Sequence, residues 1–130
     1  MTGNDNNREY TCVICPAGCL IEAEISDEPQ PKLKSLTGNR CDKGEVWVRQ
    51  EIENPMRTIA GSVTVSGGDF LCASVRTNRP IPLAKVHDVM AEIRKLRLEA
   101  PVATGEVLLV NPAGVDTDII ATRTVKRACP

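Results

Sequence analysis

The chain has 130 residues, 42 % hydrophobic and 2 % aromatic, with 16 basic and 17 acidic side chains and a formal net charge of −1. A balance this even leaves no basic stripe for a phosphate backbone, and three rings, Tyr10, Trp47 and Phe70, are too few for base stacking, so nucleic acid is excluded as a partner. No apolar run approaches the ~20 residues that span a bilayer, so membrane insertion is not expected either.

The first residues, MTGNDNNRE, are polar and lack the basic and apolar regions of a signal peptide. They read as a disordered tail over 1–9 and place the chain in the cytoplasm. Thiols stay reduced there, so six cysteines point to metal or redox chemistry rather than to a disulfide framework. Cys12, Cys15 and Cys19 come first. Leu20 to Ser26 then alternates apolar and polar, with Ile21, Ala23 and Ile25 on one face, and predicts a strand. Turn residues from Asp27 to Pro31 lead to a return strand, Lys32 to Thr37. This hairpin is expected to carry Cys41 back to the first three cysteines. Glu45 to Asn54 predicts a short helix stopped by Pro55.

Beyond Pro55, alternation of Ile59, Val63 and Val65 within Arg57 to Ser66, a Gly67-Gly68-Asp69 turn and a return over Phe70 to Arg76 predict a second hairpin. Cys72 sits in the apolar run Phe70-Leu71-Cys72-Ala73 and reads as a small core residue. After the rigid lead-in Arg79 to Pro82, the positions Val86, Val89, Met90, Ile93 and Leu96 keep helical spacing through Leu83 to Leu96. His87 reads as a surface or boundary residue on that helix, and the charges from Glu92 to Glu99 as its solvated face and exit. Glu106 to Val110 and Ile119 to Val125 predict strands around an Asn111-Pro112-Ala113-Gly114 turn. The fold class is therefore α+β. A cysteine-rich metal-binding knuckle with a β-hairpin occupies 10–54, and a small α+β unit with one main amphipathic helix occupies 55–127.

The chemistry lies in the spacing Cys12-x2-Cys15-x3-Cys19-x21-Cys41. Three close thiolates and one distant one suit the corners of a [4Fe–4S] cluster, each corner iron taking one cysteine. Arg40 and Lys43 flank Cys41 and are expected to balance an anionic cluster from just outside the ligand shell. A structural zinc ion is the alternative cofactor for the same four thiols, and disulfides or free thiols remain open. Cys129 reads as a free thiol near the end of the chain. No catalytic residue is identified, for the nucleotide, phosphate, zinc-protease and serine-hydrolase motifs are all missing.

Residues 12 to 44, with their Cys-Pro-Ala-Gly-Cys and Cys-Asp-Lys-Gly stretches, resemble the N-terminal cluster segment of molybdopterin oxidoreductases. That resemblance implies a [4Fe–4S] cluster, but neither a pterin nor that family's role for Lys43. From about Tyr10 to Val125 the chain resembles the small bacterial and archaeal family known for its CXXC pairs, domain of unknown function 1667. The resemblance rests on Cys12-Val13-Ile14-Cys15-Pro16, Asn39-Arg40-Cys41, Asn54-Pro55, Arg79-Pro80-Ile81-Pro82 and Asp118-Ile119-Ile120-Ala121-Thr122-Arg123. Members often accompany an FAD-dependent glycerol-3-phosphate dehydrogenase and a second FAD/NAD-type oxidoreductase. It implies an iron–sulfur accessory subunit, and the leading expectation is that this subunit exchanges electrons with such a flavoprotein. A zinc-stapled adaptor and a cluster-based sensor are the rival expectations. Arg79 to Pro82 and the loop Asn111 to Asp118 are expected to be exposed and to offer docking surface.

Overall fold

A computed structural model describes residues 6–26 and 29–129. The chain divides between Pro55 and Met56 into two compact units, each with strands and one main helix. Among the described residues no helix is long and apolar enough to cross a membrane.

The first unit is a three-stranded antiparallel sheet carrying one helix. β1 (Asn7–Thr11), β2 (Leu20–Ser26) and β3 (Lys32–Thr37) lie in that order. β2 and β3 take the predicted bounds because their period-2 pattern is strong: Ile21, Ala23 and Ile25 are buried, and the residues between them are exposed. The expected turn between these strands lies partly outside the described residues. The sequence reading assigned 1–9 to a disordered tail; residues 1–5 lie outside the described residues, and β1 corrects the reading for Asn7 to Glu9. Asn7 pairs with Glu24 and Thr11 with Leu20, and the amide of Ile25 donates to the Asn6 carbonyl at 2.7 Å. No β1 residue is fully buried, so what holds this strand is backbone hydrogen bonding, which a hydrophobic pattern does not report.

Helix α1 (Asp42–Glu53) starts three residues earlier than predicted, with Cys41 extended at its N-cap position. Val48 and Ile52 from this helix join Ile21, Ala23, Ile25, Leu33 and Cys12 in one core. Trp47 meets Tyr10 edge to face, with ring centroids 6.4 Å apart.

The second unit is built on a five-stranded sheet. It begins with β4 (Met56–Arg57), β5 (Ala60–Ser66) and β6 (Cys72–Thr77) and continues through β7 (Ile81–Pro82). A short 3-10 turn, Leu83–Lys85, leads into α2 (Val86–Lys95). β8 (Arg97–Glu99), β9 (Val107–Val110) and β10 (Asp118–Ala121) follow. The sheet order is β8-β5-β6-β10-β9, with β4 and β7 paired separately. All neighbours in the large sheet are antiparallel except β5 and β8, where Thr64 lies beside Arg97. Val89 and Ile93 of α2 pack with Val63, Val75, Ile81 and Ile119. Val65, Ala73 and Ala121 meet Val102 and Val125 in an adjoining core.

Several readings change in this unit, among them the strand expected over Ile119 to Val125, which ends at Ala121. Cys72 is exposed rather than part of the core, because β6 turns Ala73, Val75 and Thr77 inward and leaves Cys72 on the other face. Its neighbours Phe70 and Leu71 are exposed in the turn, where the Arg123 guanidinium lies 3.5 Å from the Phe70 ring centre. The charged exit of the main helix is in part a strand, β8, held by parallel pairing to β5. Finally, the two segments expected to be exposed are partly built in. Ile81, Pro112, Val115 and Thr117 are buried, while Arg79, Pro80, Ala113 and Asp116 stay at the surface. Thr117 Oγ1 ties the segments together by accepting the Arg79 amide at 3.1 Å and donating to Asn78 Oδ1 at 3.1 Å.

Candidate metal centre

Three cysteines fall in one loop. Residues 12–19 join β1 to β2, and the amide of Cys12 donates to the Cys19 carbonyl at 2.9 Å, continuing the ladder one step past Thr11 and Leu20. The triplet is therefore pinned at both ends by antiparallel pairing, with Cys15 at the exposed tip. It sits between two strands rather than ahead of a single hairpin, and the signal that could have located it was the capacity of the polar run Asn7–Thr11 to pair.

Cys41 arrives from the other side. Gly38 lets the chain turn out of β3 with φ +96°, and a side chain there would overlap the Leu20 carbonyl oxygen. Asn39 Nδ2 then donates to the Cys41 carbonyl at 3.3 Å, and the Gly44 amide donates to the same oxygen at 3.3 Å. Cys41 thus stands at the N-terminal end of α1, the end that carries the positive pole of the helix dipole.

The two segments meet around a cavity of about 230 Å3. All four cysteines singled out in the sequence line it, as do Arg40 and Lys43. Ile14, Ile21, Asn39 and Gly44 complete the wall, and among the described residues no carboxylate or imidazole belongs to it. Among the described residues, no group of three or more His, Cys, Asp or Glu side chains stands close enough together to hold a metal ion, the four cysteines of this cavity included. Cys12 is buried, Cys19 half-buried, and Cys15 and Cys41 exposed. The cavity is thus closed on the side of β2 and open on the side of Cys15 and Cys41.

Four exposed aliphatic side chains lie close in sequence to the cavity residues, and Ile14 among them lines the cavity. Val13 and Ile14, 69 % and 49 % exposed, lie between Cys12 and Cys15. Leu20 follows Cys19, and Val46 lies one helical turn past Lys43, at 55 % and 65 % exposure. Cys72 and Cys129 belong to the second unit and do not line the cavity. His87 is exposed on α2. Asn39 was not identified as a site residue from the sequence; an Asn two positions ahead of a cysteine is the turn signal that marks it.

None of the curated proteins matches the chain, and no solved structure does. The family described as protein of unknown function, DUF1667, matches residues 42–123. The match starts one position after Cys41 and runs from α1 to Arg123. The four-cysteine cavity wall before Asp42 thus lies outside the matched span, which is shorter than the resemblance read from the sequence. Since the match covers more than half of the chain, this protein belongs to the DUF1667 family.

Proposed function

We propose that the first unit holds a [4Fe–4S] cluster on Cys12, Cys15, Cys19 and Cys41, and that the chain is a small electron-transfer subunit of an FAD-dependent oxidoreductase of the glycerol-3-phosphate dehydrogenase type. One observation carries this reading: four cysteines from two separate segments line a single cavity with two cations and no carboxylate. The donor set fits a cubane cluster, which takes one thiolate at each of four irons. When bound, such a cluster supplies a one-electron centre. Arg40 and Lys43 offset its negative charge, as does the N-terminal end of α1. Cys12 and Cys19 form the inner anchor, while Cys15 and Cys41 face the open side, where electrons would enter and leave. Ile14, exposed on the cavity wall, gives a partner an apolar contact from which to exclude water.

The test uses the anaerobically purified chain and a purified FAD-dependent glycerol-3-phosphate dehydrogenase. The flavoprotein is reduced with its substrate, and the cluster absorbance near ~400 nm is followed. Bleaching that requires both proteins is the expected result. A cluster that stays oxidised, bound to the reduced flavoprotein and with a potential high enough to accept an electron, contradicts electron transfer. A colourless chain with one zinc identifies the adaptor reading instead.

A further inference from the structure

Glycine is a poor choice inside a helix, because alanine loses less conformational entropy there. α1 nevertheless carries Gly44 as its third residue, buried. No left-handed backbone angle calls for glycine at this position. Space does. A Cβ on residue 44 would stand 3.1 Å from Cδ1 of Ile21, 3.4 Å from Cβ of Asn39 and 3.8 Å from Sγ of Cys12. Gly44 and all three of these neighbours line the cysteine cavity. The tightest contact is with the far end of the buried Ile21 side chain, which has to give by a few tenths of an ångström to admit a methyl that also enters the cavity wall. A local rule broken without local cause marks a site that serves something else.

The geometry points to Gly44 as the residue that sets the size of the group the four cysteines can hold. This inference rests on the cluster reading. A tetrahedral ion with metal–sulfur bonds of ~2.3 Å draws its sulfur atoms to about 3.8 Å of one another and needs little room. A four-iron cluster is a cube of iron and sulfide with one thiolate bonded outside each iron corner, so its thiolates stand farther apart and it needs the cavity itself. A methyl on residue 44, in contact with Cys12 Sγ, takes part of that room. Gly44 therefore favours the large group over the single ion.

The experiment compares the full-length wild type, Gly44→Ala and the double variant Gly44→Ala with Ile21→Val. Each is loaded without oxygen, once with ferrous iron plus sulfide and once with zinc alone. Metal per chain, absorbance and the melting temperature of the metal-free protein are recorded. In Gly44→Ala, iron binding is expected to weaken by about tenfold or more, a change equivalent to ~1.4 kcal/mol. Zinc binding stays at the wild-type level, and the metal-free protein melts no lower than wild type. Ile21→Val removes the 3.1 Å contact but does not restore iron. Wild-type iron binding in Gly44→Ala overturns the inference. So does recovery of iron in the double variant, which would assign Gly44 to packing against Ile21 alone, and so does an equal loss of iron and zinc. If the wild type itself binds zinc and no iron, the cluster reading fails and this inference with it.

Discussion

Replacing Ile25 with alanine tests whether metal binding supplies part of the folding energy of the first unit. Ile25 is 2 % exposed and packs in the core formed by Cys12, Ile21, Ala23, Leu33, Val48 and Ile52. The substitution removes three carbons, worth about 2.4 kcal/mol at ~0.8 kcal/mol per buried methylene. Incomplete collapse around the vacated space raises the cost to about 3–4 kcal/mol. A unit ending at Pro55 would have about 3–8 kcal/mol of stability at the usual yield per residue. The variant should therefore lose between about a third and all of its stability without metal and regain order when iron and sulfide are supplied, because ligand binding to the folded form adds directly to folding. Hydrogen exchange at the β2 and β3 amides measures this, with those of β5 and β6 as an internal reference. Metal-free Ile25→Ala with fully protected β2 and β3 amides would refute the coupling.

Three further outcomes are expected. Serine in place of Cys12, Cys15, Cys19 or Cys41 should abolish iron binding, whereas Cys72→Ser and Cys129→Ser should leave it intact; full iron retention in Cys41→Ser would break the ligand set. Lys43→Ala should lower the cluster's reduction potential by tens of millivolts, roughly ~0.5–1 kcal/mol per electron for an exposed and screened cation, and a redox titration showing no change or a rise would contradict it. Thr117→Val should destabilise the second unit by about 1–3 kcal/mol, because the Arg79 amide and Asn78 Oδ1 lose a partner buried at 0 % exposure; an unchanged denaturation midpoint would show that the hydroxyl is dispensable.

Parts of the molecule were legible before folding and parts were not, for physical reasons. β2 and the main helix show themselves because one face of each is buried, and burial writes a period of 2 or 3.6 into the residues. β1 and β8 are held by backbone pairing and carry no such pattern. Cys72 was misplaced because apolar neighbours suggested a core, while the strand's alternation turns it outward. At the candidate metal centre, the four cysteines and two cations that line the cavity could be singled out in the sequence, three of the cysteines by their close spacing. The roles of Asn39, Ile21 and Gly44 in the cavity wall depend on how β2 and α1 approach each other, which no local pattern records.

The decisive measurement is the metal content of the wild-type chain purified without oxygen, taken together with its visible spectrum. About four iron and four sulfide per chain, with a broad band near ~400 nm that bleaches on reduction, is the expected result. One zinc per chain with no visible band, or no bound metal at all, would contradict it.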